Sequence, residues 1–175
     1  NKDELYTSKD LLDYARTHLK PVGLKGQQFA YGDTAFLCLM LAMEKISGQS
    51  IPHYLDTLIF KPLQMTRTQS MIYTQKNPLK PLPIMVNKID IASFKSLSCD
   101  QGDGGIVSCP HDLLLFMHAL YHGFISSDHL KLMQKWQGHF RNGIHYGSGM
   151  MQIRFEEFFF LMKNYPRLEG HIGIL

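Results

Sequence analysis

The longest apolar run in the chain, Ala35–Met43, lies inside FAYGDTAFLCLMLAMEKISG, Phe29–Gly48, and meets no polar position until Glu44 and Lys45. This pattern predicts a helix capped by Asp33 or Thr34, stopped by Gly48 and buried on all sides, with Cys38 as a small core residue. Three other segments carry helical periodicity. Leu11, Leu12, Ala15 and Leu19 share a face behind a Thr7 or Ser8 cap, until Pro21 and Gly23 end the helix. Ser50 opens a second, with Pro52 in its first turn, Tyr54, Leu55, Leu58 and Ile59 on one side, and Lys61-Pro62 at its end. Ser108 and Pro110 open a third that Gly123 closes, its apolar side formed by Leu113, Leu114, Phe116, Met117, Leu120 and Tyr121. A short helix is expected from Ser127 to about Trp136.

From Lys61 to Asp103 the helical period fades under Pro78, Pro81 and Pro83, and MIYT and LPIMV read as short strands. The C-terminal part changes period. YGSGMMQIRF and EFFFLMK read as two strands about a turn near Phe155–Glu157, with Phe158–Phe160 buried; Tyr165–Gly170 reads as a turn and His171–Leu175 as the start of another strand.

The 175 residues, 45% hydrophobic and 19% charged, suit one globular domain with a substantial core. A net charge of +3, with lysines and arginines scattered, gives no footprint for nucleic acid or an anionic membrane. The longest apolar run is too short to span a bilayer. Cys38, Cys99 and Cys109 are an odd count without a C-x-x-C pair, which argues against a disulfide framework and a zinc site. The polar start NKDELYTSKD is no signal peptide, and both this start and the apolar end HIGIL read as cut ends of a larger protein.

Several motifs are candidates for chemistry. His111, His118 and His122 fall within about 40° of one another on a helix face. That face lies opposite the apolar side and has no HExxH glutamate, so it reads as solvent-facing and no metal is assigned. QGDGG, 101–105, lacks the Gly-Lys-Ser/Thr ending of a phosphate loop; its glycines read as a tight turn or a close backbone approach. No G-x-S-x-G elbow occurs. Tyr31-Gly32-Asp33 has two readings, a buried tyrosine beside a helix cap or a proton-transferring phenol at the mouth of a buried helix. The second requires a nearby positive charge, because only that brings a phenol into play at neutral pH. His171 is the candidate partner; Gly173 would let a substrate lie along the chain there, and the Ile174 N–H could serve an oxyanion.

Taken in order, these blocks resemble the serine β-lactamase and penicillin-binding protein family. The likeness is to the branch holding class C β-lactamases, D-alanyl-D-alanine carboxypeptidases, D-peptidases and esterases. FAYGDTAFLCLMLAMEKISGQSIPHYLDTLIFKPLQMTRT is similar to the family's F-x-Y-S-N-T-x-Y block and the I-F-x-P-L-G-M ending after it. GDGGIVSCPHDLLLFMHALYHG is similar to G-A-G-G-L-x-S-T-x-x-D-L-x-x-F, and YGSGMMQI with GHIG to Y-G-L-G-W with G-H-T-G-G. The resemblance implies an α+β fold, a β-lactamase-like α/β sandwich with a helical region. Here it would be a partial domain over 1–175, mostly helical, with a few C-terminal antiparallel strands.

The resemblance also implies roles. Tyr31 and His171 match catalytic motif positions, Asp33 stands at a substrate-contacting one and Gly173 is the glycine of the last motif, while the Ile174 N–H remains the residue-level candidate for substrate binding. Asp33 stands where asparagine is usual, and Ile172 replaces a hydroxyl residue that meets a substrate carboxylate. The family reaction is acyl transfer through the serine of a Ser-x-x-Lys motif, which occurs nowhere in this sequence. In the family it lies upstream of the tyrosine block, before Asn1 here, and the family's last helix is also outside the chain. The implied parent is a serine hydrolase acting on a peptide, amide or ester, with no cofactor and no nucleic-acid partner, in a periplasmic or secreted location. The chain alone is then expected to be inactive, and to associate through exposed fragment edges. The alternative is a non-catalytic binding protein that kept the fold.

Overall fold

The computed structural model describes residues 3–173 and divides into two compact units. The first comprises Asn1–Lys20 and Gly32–Ala119, the second Pro21–Tyr31 and Leu120–Leu175.

The first unit opens with α1, Ser8–His18. Thr7 caps it reciprocally: its hydroxyl accepts the Asp10 N–H at 3.2 Å, and the Asp10 carboxylate accepts the Thr7 N–H at 2.8 Å. Helix α2, Asp33–Ser47, ends at Gly48 in the left-handed region, φ 67°. The core forms where α1 meets α2 and α3, Ile51–Leu55: Leu37, Met40 and Ile51 are buried, with Leu11, Leu12, Leu41 and Leu55 packed against them. Each such side chain contributes on the order of 1.5–3 kcal/mol when fully buried.

Helix α2 departs from the sequence reading in two ways. Its N-cap is Gly32, in extended backbone and with no side-chain cap, so neither Asp33 nor Thr34 performs that function. It is also buried on one stripe only: Leu39 is 58% and Ile46 87% exposed, and Cys38 is exposed. The partners in this unit cover the Leu37–Met40 side and leave Leu39, Met43 and Ile46 in solvent.

A tighter-than-expected path follows. A wider helical turn covers Asp56–Phe60, and β1, Gln69–Ser70, pairs antiparallel with β4, Ile106–Val107. MIYT is a 3-10 turn over Ile72–Thr74 rather than a strand, and LPIMV yields only β2, Met85–Val86, which pairs with β3, Ile89–Asp90. Proline spacing leaves too few N–H groups for longer ladders. Gln101 of QGDGG is buried and ties two chain segments: its amide donates to Tyr6 O at 2.7 Å and Ser98 O at 2.9 Å, and its oxygen accepts from the Ser8 hydroxyl at 2.7 Å. Helix α4, Pro110–Tyr121, buries Asp112, which is 1% exposed and accepts the Arg67 N–H and the Thr68 hydroxyl, each at 2.8 Å. The buried turn of α4 is thus set by a carboxylate. Leu113 and Leu114, expected on the apolar side, are exposed.

The second unit is a four-stranded antiparallel sheet, β5 Gly138–Arg141, β6 Ile144–Tyr146, β7 Met151–Ile153 and β8 Leu168–Gly170, in sequential order. Helix α5, Ser127–Met133, precedes it. YGSGMMQIRF is therefore the end of one strand, a turn and the next strand, and Tyr165–Gly170 contains a strand where a turn is expected. The described part of His171–Leu175 carries no strand. EFFFLMK is likewise no strand. Helix α6, Phe155–Phe158, and a 3-10 turn over Phe160–Met162 replace it, and Phe158, Phe159 and Phe160 are exposed. Ion pairs and a hydrogen bond at its start hold this conformation: Arg167 pairs with Glu156 at 2.7 Å and Arg154 with Glu157 at 3.3 Å, and His145 hydrogen-bonds Glu157 at 2.8 Å. Cys38, Cys99 and Cys109 are all free thiols.

Candidate active site

Strand register gives the sheet two chemically different faces, because register partners point to one side. The pairs Gly138–Tyr146, Tyr146–Met151 and Met151–Gly170 form one row across all four strands. Tyr146 and Met151 of this row are buried. The segment carrying Phe29 and Tyr31 packs on it. Phe29 stacks on Tyr146 with ring centroids 5.4 Å apart, and Tyr31 lies 5.3 Å from Tyr146 and 5.3 Å edge-on from Phe140. Gly138 makes room: a Cβ there would come within 2.7 Å of the Phe29 ring.

His171 follows β8 directly and completes the cluster. Its ring centroid lies 6.2 Å from that of Tyr31 and 5.9 Å from that of Tyr146, at 90° to the latter. The Tyr146 hydroxyl and His171 Nε2 are 3.4 Å apart, a long hydrogen bond. Burial, and secondarily the neighbouring Tyr31, push the Tyr146 phenol up to about 12. Tyr146 therefore stays protonated at neutral pH, able to donate to an imidazole nitrogen and unsuited to accept a proton. The imidazole of His171 is exposed, so this wall of aromatic rings ends in a solvent-accessible basic group.

The structure thus brings two of the expected residues, Tyr31 and His171, into one cluster. Gly173 is exposed, with open space where a side chain would stand. Ile174 lies outside the described residues. Asp33 is exposed in the first turn of α2, where a carboxylate favours the helix dipole. Within the first unit the QGDGG turn rests on that helix, since a Cβ at Gly102 would meet Phe36 O at 2.7 Å. Burial, with the charges of Asp33 and Asp100, raises the Asp103 carboxyl above its ordinary value. Sequence reasoning missed Tyr146, Phe29 and Phe140. The signal for Tyr146 was its place at the head of the YGSG block, ahead of a glycine turn.

A family model described as Beta-lactamase matches residues 2–151. The chain belongs to the beta-lactamase family. Its α+β fold matches solved structures of that kind at low sequence identity. The D-stereospecific amidohydrolase from Streptomyces sp. superposes with a TM-score of 0.82 at 22% identity over 99% of this chain and 51% of that one. The D-amino acid amidase from Ochrobactrum anthropi SV3, complexed with D-phenylalanine, gives 0.79 at 20% identity, over 99% and 52%. A penicillin binding protein from Bacillus halodurans gives 0.65 at 18% identity, over 82% and 46%. The chain spans about half the length of these proteins. Its four-stranded sheet packs against the segment carrying Tyr31 and is followed directly by His171, and its sequence lacks the Ser-x-x-Lys motif.

Proposed function

We propose that this chain supplies one wall of the active site of a serine hydrolase that acts through an acyl-enzyme on a peptide, amide or ester. Supporting this reading is the placement of Tyr31, which follows the beta-lactamase-family motif and lies 6.2 Å, ring to ring, from His171. In acyl transfer the nucleophilic hydroxyl loses a proton as its oxygen bonds to the substrate carbonyl carbon, and the leaving nitrogen or oxygen gains one. Tyr31 is positioned to pass that proton. His171 supplies the basic side chain next to it, and Tyr146, a fixed phenol, orients the imidazole.

The serine and lysine of the reaction come from outside these 175 residues, so the chain by itself forms no acyl adduct. Amides of D-amino acids are the favoured substrates, because the similar amidohydrolase and amidase are named for such compounds. Ile172 in place of a hydroxyl residue argues against efficient β-lactam hydrolysis, since a substrate carboxylate loses a partner there.

The test uses the full gene product, assayed for ammonia release from D-phenylalanine amide. Tyr31→Phe should lower kcat by about 10²–10⁴ while KM changes little, the usual size of a proton-transfer contribution. Unchanged kcat in that variant would remove Tyr31 from the mechanism. A full product without Ser-x-x-Lys and without activity would instead indicate a binding protein built on this fold.

A further inference from the structure

The opposite face of the sheet is polar across its width. The register pairs His139–His145, His145–Gln152 and Gln152–Glu169 line up one residue from each strand. At one end of this row, Glu157 of α6 reaches the two histidines. The ligand-capable atoms of His139, His145 and Glu157 all lie within 4.8 Å of one another, the one such group of three among the described residues. We propose that His139, His145 and Glu157 bind a divalent zinc ion on the face of the sheet turned away from the Tyr31 cluster.

The chemistry of the donor set selects the ion. Two imidazole nitrogens and one carboxylate suit Zn²⁺ and disfavour Mg²⁺ and Ca²⁺, which take oxygen ligands. Zinc bonds of about 2.0–2.2 Å in a tetrahedral arrangement require ligand atoms about 3.3–3.5 Å apart. Directly opposed cross-strand residues have Cβ atoms about 4.5–5.5 Å apart, which lets two imidazoles converge by side-chain rotation alone. The two rings already meet edge to face at 5.3 Å. His145 Nε2 lies 2.8 Å from both Glu157 oxygens, donating its proton to an ionised carboxylate. That hydrogen bond and its neighbours hold Glu157 below the usual carboxylate range.

A metal ion entering the group takes the His145 lone pair in place of that proton, which passes to solvent, and accepts one Glu157 oxygen. Arg154 provides the outer support. It reaches Glu157 Oε1 at 3.3 Å and is itself fixed by Gln152 Oε1 at 2.8 Å, which leaves Oε2 for the ion. His139 is exposed, so the site opens to solvent and keeps a fourth position for water. The bound ion would pin the β5–β6 hairpin to α6.

The experiment is titration of chelator-stripped 175-residue chain with ZnCl₂ by calorimetry, and with CoCl₂ by visible absorption. The expected result is one ion per chain, with cobalt giving the intense ligand-field bands of low coordination number. His139→Ala, a change at an exposed position, should weaken zinc at least about 10²-fold. His118→Ala should leave binding unchanged. Circular dichroism checks that each variant is folded. The absence of saturable binding overturns the proposal, as does undiminished affinity in folded His139→Ala or loss of the bound ion in His118→Ala.

Discussion

Gly102 joins the QGDGG turn to α2, and its replacement by alanine measures how tightly the two are fitted. Its φ of +85° lies where an L-residue is strained by about 1–2 kcal/mol. A Cβ would also stand 2.7 Å from Phe36 O and 3.1 Å from Met40 Cβ, contacts to a helix backbone and a buried side chain that have no room to yield. Overpacking of this kind costs about 1–3 kcal/mol. Gly48 supplies the control. It sits at the other end of the same helix with φ +67° and open space around the added Cβ, so Gly48→Ala carries the backbone strain without the collision. The smaller entropy of an unfolded alanine chain, about 0.4–1 kcal/mol, offsets both variants equally. Gly102→Ala should therefore be less stable than Gly48→Ala by about 1–3 kcal/mol. With an m-value of about 2 kcal/mol/M, urea unfolding by circular dichroism would separate their midpoints by roughly 0.5–1.5 M. Coincident midpoints would refute the claim that the turn is wedged against α2.

Other expectations follow from the same contacts. Thr7→Ala removes the α1 capping box and should cost about 1 kcal/mol in urea unfolding, with loss of protection from hydrogen exchange in the first turn. Tyr146 is pushed up to about 12 by burial and by Tyr31, and Tyr121 to about 12 by burial and by its hydrogen bond to Glu169. Both folded values lie above the ordinary value near 10, so their stabilising effect is complete below about pH 10 and is lost as pH rises toward 12. Ultraviolet titration should show a late phase that shrinks by one tyrosine in Tyr146→Phe. Asp103, raised by partial desolvation and by the charges of Asp33 and Asp100, disfavours the folded state slightly once ionised, since the residue is exposed and solvent screens the effect. Asp103→Asn should thus raise the melting temperature at pH 7, with the gain disappearing below about pH 4, where the unfolded aspartate is also protonated.

Local signals in the sequence carried far. Thr7 before α1, Gly48 after the apolar run and Pro110 after Ser108 mark helix ends by their own local backbone preferences and capping chemistry, and the helices stand there. What failed depended on partners elsewhere in the chain. Apolar periodicity states what a helix is able to bury, not what is present to bury it, so Leu39 and Ile46 of α2 and Leu113 and Leu114 of α4 are exposed. Phe158–Phe160 resembles a buried strand, but Glu156 and Glu157 form ion pairs that set a helical turn there instead. The meeting of Tyr31 with His171 followed from motif order. The place of Tyr146 beside both did not, because it arises from register with β7 and contact with Phe29. The His139–His145–Glu157 group likewise exists only through strand pairing.

We propose that this chain carries the tyrosine and histidine side of an acyl-transfer site without the nucleophile. Intact-mass spectrometry tests it directly, after incubation of the 175-residue chain with an activated D-phenylalanine ester and, separately, a chromogenic β-lactam. The expected result is the unmodified mass and no burst of released chromophore. One equivalent of acyl group, bound to any residue of the chain, would contradict it.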